Sequence, residues 1–360
     1  MFLALKRLSL GLTLIAAAAA VLLGMDLHRR AGGGDRLPQI AILQQASVPV
    51  LDDGVRGMIA GLEAKGYRDG VTAVITKYNA EGDAATAAAI AREITDGHFD
   101  LVMTSSTPSL QAVANANKDR RTIHVFGIVA DPYIAGVGLD RDHPLAHPRH
   151  LVGYGLLLPV DQVFRLARRM YPGLKRVGVA WNPAEANSRR FTTIARQVCQ
   201  ELAIELVEAQ IDNPSGIVEA INSVIARDAQ ALWIGGDITV SSAADTVLKL
   251  AQRAHIPVFS ILPGDPRRGT LFDLGLDFFE AGKHTGELAG QILHGEDPAT
   301  IPIRDIVQEV PRRLTINERV LAGLRDPWRI PPDVARSADI LVDDAGVHEQ
   351  RNGDHEKPNR

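Results

Sequence analysis

From Gln39 onward the chain alternates short β-branched runs with longer stretches whose apolar residues recur at helical spacing. Strands are expected at residues 40–43, 72–78, 101–104 and 123–126, with helices over 50–65, 84–95 and 109–116 between them. Strand, helix and strand in succession is the pattern of right-handed crossovers in a parallel sheet. The series then repeats, with strands at 177–181, 205–209, 231–234 and 258–260 and helices around 160–170, 187–202, 217–226 and 243–254. The fold class is therefore α/β, in two similar halves.

Between the halves, residues 131–158 lack helical periodicity and hold many glycines, prolines and histidines, which suits a passage from one lobe to the other. Beyond the second half, 269–276 reads as a strand, 278–293 as a helix with Gly295 past its end, and 303–309 and 313–316 as extended chain. A helix and strand left over after two complete sheets imply a return to the first lobe, with hinge crossings near 151–155, 272–276 and 307–315. The expected organisation is a first lobe of 38–155 plus 277–306, and a second lobe with hinge return of 156–276 plus 307–325. A polar, poorly ordered tail is expected over 326–360, with 340–342 its one apolar patch.

Composition narrows the function classes. Among 360 residues, 46% are hydrophobic and 23% charged, which is ordinary globular usage and unlike a disordered or multi-span membrane chain. The balance of 39 basic against 43 acidic residues, a net charge of −4, offers no field for nucleic acid. The single cysteine, Cys199, leaves no intramolecular disulfide and no multi-thiolate zinc site. At the amino terminus, Lys6 and Arg7 precede an uncharged apolar run over 8–25, so that 1–30 reads as a signal peptide or a membrane anchor, with cleavage preferred. Residues 31–37, with consecutive glycines at 32–34, read as a linker. Export to the periplasm follows from that run.

Ligands of open α/β sheets bind outside the carboxyl ends of the strands, so candidate chemistry is sought there. The third strand runs into Ser105, Ser106 and Thr107 ahead of Pro108, a helix start whose N–H groups and hydroxyls suit an anion. In the second half, Asn182, Asn187 and Ser188 follow one strand and Asp237 another. Asp237 can cap a helix or meet a ligand amine, and Asn187 or Ser188 can equally be caps. Gln44 at the end of the first strand and Asp131 before Pro132 complete the ligand-binding candidates. His143, His147 and His150 have the spacing of a metal set on a helix, but Pro144 and Pro148 argue against a helix there. Phosphate-binding glycine loops and a nucleophile elbow are absent, and Cys199 falls inside a helix. No enzyme activity, cofactor or metal is expected.

These residues carry a resemblance. Tyr78-Asn79-Ala80-Glu81-Gly82-Asp83, Thr107-Pro108, Asp131-Pro132, Trp181-Asn182-Pro183 with Glu185, Gly236-Asp237, and Gly282 with Thr285-Gly286-Glu287-Leu288-Ala289 and Ile292-Leu293-His294-Gly295 occur in order. Over residues 38–323 the chain resembles the extracytoplasmic substrate-binding components of ABC transporters, in the branch related to tryptophan and tyrosine binding proteins. The resemblance implies a two-lobed type I periplasmic-binding fold with three hinge crossings, a monomer that captures a small molecule between its lobes, and a membrane permease as partner. An amino acid or related carboxylate is the implied ligand, with its anionic end at Ser105, Ser106 and Thr107 and its amine near Asp237. The run from Asp140 to His150 departs from the group's pattern. A ligand-sensing domain serving a membrane receptor would share the same motifs and is the alternative.

Overall fold

The structure is a computed structural model that describes residues 36–119, 122–265 and 267–350. The apolar run, most of the glycine linker and the last ten residues of the expected tail lie outside the described residues.

The first lobe is built on β1 (Gln39–Gln44), β2 (Val74–Asn79), β3 (Leu101–Ser105), β4 (Ile123–Val129) and β5 (Leu151–Gly155). Between them run α1 (Pro49–Ala64), α2 (Ala84–Asp96) and α3 (Thr107–Ala116). The second lobe carries β6 (Arg176–Trp181), β7 (Glu205–Gln210), β8 (Ala231–Ile234), β9 (Val258–Ser260) and β10 (Phe272–Leu276). Its helices are α4 (Val160–Met170), α5 (Ala186–Glu201), α6 (Ile217–Ala226), the short α7 (Ile238–Ser241) and α8 (Ala244–Arg253). Then α9 (Phe278–Leu293) and β11 (Arg304–Asp305) return to the first lobe, and β12 (Arg312–Asn317) re-enters the second. The first sheet has six strands in the order β11-β5-β4-β3-β1-β2, every pairing parallel.

Strand sequence explains strand position. Ile40 to Leu43 are buried on both faces of β1, and β3 is buried throughout, as a central parallel strand between two helix layers requires. Helix starts are set by short polar residues. Asp83 accepts from Thr86 N at the head of α2 at 2.6 Å, and Asp277 from Glu280 N at the head of α9 at 3.1 Å.

The return helix is locked to α1 by close backbone contact. A methyl group built at Gly57 would lie 2.0 Å from the Phe279 carbonyl oxygen, and one at Gly286 would lie 2.0 Å from that of Met58. Small residues on both helices let the backbones touch, so α9 belongs to the first lobe although it follows the whole second series. The chain passes between the sheets over 156–159, at Asp277 and over 306–311, immediately after β5, β10 and β11. Two of the expected hinge positions fall on the strands that lead into the crossings.

The segment expected to be a poorly ordered tail is structured as far as Gln350. It forms α10 (Pro332–Ser337), β13 (Ile340–Asp343) and β14 (Gly346–Glu349), which extend the second sheet to eight strands, β14-β13-β12-β10-β9-β8-β6-β7. Thr315 to Asn317 pair in parallel with Ile340 to Val342, and Asp343 Oδ1 accepts from the N–H groups of Ala345 and Gly346 to turn the hairpin. Trp328, Val334, Ala338 and Val342 are buried. Few apolar residues suffice here because the segment adds an edge to an existing core.

Candidate functional site

The carboxyl ends of the first sheet's strands face those of β6, β8 and β9 across the space between the lobes. A cavity of about 50 Å³ lies there, walled by side chains of both lobes. Val50, Ile128 and Leu158 line it with Phe191, Ile238 and Phe278, so the wall is mostly apolar. Ser106, Thr107, Asn187 and Ser241 supply the polar side chains. At roughly 10–15 Å³ of enclosed space per water the cavity holds only a few solvent molecules, far below the ~300 Å³ of an ordinary ligand pocket, so admission of a larger solute requires the lobes to part.

Two wall residues have strained backbones. Ile128 has φ +57°, uncommon for a β-branched residue, at the point where β4 slips register against β5 between Phe126 and Val129. Ser106 has φ +145°. Strain of roughly 1–3 kcal/mol per residue persists only where the surrounding packing enforces it, and it clusters at ligand clamps.

The candidates occupy different environments. Ser106 caps α3, accepting from Ser109 N at 3.2 Å and donating to Ser109 Oγ at 2.9 Å. Thr107 begins that helix, and its buried hydroxyl has no partner. Ser105 Oγ is also unpartnered but turns toward α1, 3.5 Å from where a methyl group at Gly54 would stand. Across the cleft, Asn187 in the first turn of α5 donates to Glu185 and to the Gly236 carbonyl, while its buried Oδ1 accepts nothing. Thr107 and Asn187, which line the cavity from opposite lobes, thus each carry a buried polar atom without a partner.

Asp237 and its neighbours form a closed set. The Asp237 carboxylate caps α7 at Val240 N, 2.7 Å, and accepts from Ser188 Oγ at 3.1 Å. Glu185 takes the remaining N–H groups of that short helix, from Ile238 at 2.9 Å and Thr239 at 3.0 Å. Burial, with Glu185 adding repulsion, pushes the Asp237 carboxyl well above its ordinary value. Asn182 is spent on a turn at Ala184 N and on Thr239 Oγ1. Gln44 is spent on Ala46 O and Asp52, while the neighbouring Gln45 reaches the outer mouth of the cleft and has a buried, unpartnered Oε1. That mouth opens to about 1040 Å³.

Asp131, at the end of β4, is buried between two guanidinium groups. Arg141 of the crossing loop reaches both its oxygens at 2.8 Å, and Arg190 of α5 in the other lobe lies 3.1 Å from Oδ2. The Arg190 Nε–H is not aligned for a hydrogen bond, so that contact is a charge attraction across the cleft. Neither arginine carries a sequence signal; both were missed because their partner is distant along the chain. Among the described residues no group of metal-capable side chains gathers: His143 pairs with Asp140, and His147 with the Pro148 and Ile301 carbonyls. Burial pushes the Cys199 thiol up to about 12, too high for a nucleophile. No helix among the described residues is long and apolar enough to cross a membrane.

A two-lobed α/β chain with an apolar cleft and unsatisfied polar atoms on both sides has known counterparts. Residues 39–325 match the family described as ABC transporter substrate binding protein. A tyrosine-binding protein of Clostridioides difficile (strain R20291) is 31% identical over 285 residues, 79% of this chain and 80% of the relative. The crystal structure of a conserved domain protein from Vibrio cholerae superimposes with a TM-score of 0.79 at 27% identity, covering 86% of this chain and all of the other. The ABC domain from Streptococcus pneumonia in complex with L-Trp superimposes at 0.77 with 24% identity, over 85% of this chain and 100% of that one. With a family match over most of its length and a relative above thirty per cent identity, the chain belongs to the ABC transporter substrate-binding proteins.

Proposed function

We propose that this protein captures an amino acid with an apolar side chain between its lobes and hands it to a membrane permease for import. The observation that carries the reading is the pair of unpartnered buried atoms, Thr107 Oγ1 and Asn187 Oδ1, set from opposite lobes in an apolar wall. Few polar groups in an apolar cavity suit a ligand with a small polar head and an apolar body. Thr107 stands at the start of α3, where the helix dipole and N–H groups favour a carboxylate, and Asn187 reaches the same ligand only when the lobes close. A tyrosine-binding relative supports an amino acid over a sugar. Export of the chain by its amino-terminal run and action as a monomer in the periplasm fit delivery to a permease.

Thermal denaturation of the purified chain with L-tyrosine, L-tryptophan and L-leucine tests the ligand class, because a ligand specific to the folded state raises the melting temperature. Thr107→Val should weaken the ligand found by roughly 10- to 100-fold, the worth of about 1.5–3 kcal/mol for a hydrogen bond to a charged group. Stabilisation by a sugar and by no amino acid sinks the assignment. Uptake that is unaltered when the gene is deleted sinks the import role.

A further inference from the structure

We propose that the binding site continues past the main cavity into a side chamber whose end is Asp273, and that this chamber takes a protonated amine of the ligand. The inference rests on the amino-acid reading above and adds the group that recognises the positive charge. The chamber has a volume of about 30 Å³ and shares Val48, Val50, Ser241 and Leu262 with the main cavity. Val48 and Val50 come from the first lobe and Asp273 from β10 of the second, so the chamber too is formed by both lobes.

Asp273 is 3% exposed and sits in the sheet beside Ser260 of β9 and Thr315 of β12. Its Oδ2 accepts from Thr270 Oγ1 at 2.8 Å, and its buried Oδ1 has no partner. Arg268 lines the same chamber but directs its Nε to Asp245 at 2.9 Å. A buried carboxylate oxygen without a donor, on a residue that lines a space of a few water molecules, is an acceptor awaiting a small cation, and an ammonium group is of that size. Burial pushes the Asp273 carboxyl up to about 7, opposed by the Thr270 hydrogen bond and the Arg268 charge, so an arriving cation would also restore its ionised form. Asp237 offers no equivalent, since its oxygens are held by Val240 N and Ser188 Oγ.

Calorimetry on the full chain with L-tyrosine, its desamino analogue 3-(4-hydroxyphenyl)propionate, and L-lysine tests this. The wild type should bind L-tyrosine at least tenfold more tightly than the desamino analogue. Asp273→Asn should weaken the amino acid at least tenfold and leave the analogue within twofold, erasing the preference. An Asp273→Asn loss for L-tyrosine assigns the chamber to the α-amine; a loss confined to L-lysine assigns it to a side-chain ammonium. Asn resembles the neutral carboxyl in shape, and should the variant not fold, a wild type that does not distinguish the two tyrosine compounds overturns the inference by itself. Tight amino-acid binding that ignores either the substitution or the missing amine overturns this inference and leaves the proposed function standing. Failure of every amino acid to bind overturns both.

Discussion

Asp237 and Asp273 are both buried acids of the second lobe with raised carboxyls, yet their settings differ. Asp237 holds two donors in place, whereas Asp273 keeps one oxygen free. The free oxygen has a consequence for stability in the ligand-free protein. The folded-state value of about 7 lies above the ordinary 3.8, so the native state holds the proton more tightly than the unfolded chain. Its stabilising contribution is complete below about pH 4 and is lost as pH rises through about 7. With about 1.4 kcal/mol per pKa unit, the full loss is on the order of 4 kcal/mol. Asp273→Asn removes the ionisation, so its melting temperature relative to the wild type should rise by several degrees between pH 5 and pH 8. Equal differences at the two pH values would show that Asp273 does not titrate there. In the sequence Asp273 gave no signal, because it lies within a strand and not at its end. Gln45 was missed for a related reason: one position along an extended chain reverses the face a side chain meets.

At the level of elements, strand and helix order was legible because each parallel strand is a short apolar run and each helix carries its own cap, as at Asp83 and Asp277. The return of α9 to the first lobe was legible as a helix left over after two complete sheets, but its contact with α1 only as a glycine-containing motif. Its physical meaning is contact: Gly57 and Gly61 on α1 face Phe279 and Lys283 backbone atoms, and Gly282 and Gly286 on α9 face those of Gly54 and Met58. Gly286→Ala would place a methyl group 2.0 Å from the Met58 carbonyl oxygen. Backbone on both sides leaves nothing flexible to yield, so the variant should lose about 1–3 kcal/mol or more in denaturant titration. Gly264→Ala, where nothing lies within 4 Å, should change stability by less than about 0.5 kcal/mol and serves as control. Equal effects at the two sites would refute close helix contact. The hairpin of β13 and β14 was not legible because four-residue strands on a sheet edge need only Ile340 to Val342 to be apolar, which composition alone reads as a polar tail.

For the whole molecule, the question is what holds the lobes together over a cavity of about 50 Å³. The crossing loop that departs from the family pattern supplies Arg141, which grips Asp131 within the first lobe, and Arg190 approaches the same carboxylate from the second. No periodicity or spacing announces such a triad, since its members are brought together only by the meeting of two sheets. Asp131 was expected at the ligand, and in this arrangement it is enclosed by arginines of both lobes. The attraction to Arg190 exists only while the lobes are closed, so it shifts the open-to-closed balance by its full worth. Breaking a buried pair costs about 3–5 kcal/mol, and less here because Arg190 is one-third exposed and Arg141 remains with Asp131. A shift of about 1–2 kcal/mol toward the open form is therefore expected for Arg190→Ala, weakening ligand by roughly 5- to 30-fold through the smaller fraction of competent molecules. X-ray scattering should show a larger radius of gyration for ligand-free Arg190→Ala than for the wild type, and saturating ligand should bring the two together. Arg141→Ala, acting within one lobe, should leave the scattering profile unchanged. If the Arg190→Ala and wild-type profiles superimpose without ligand, closure rests on the apolar walls alone, and Val50 and Phe278 become the residues to vary.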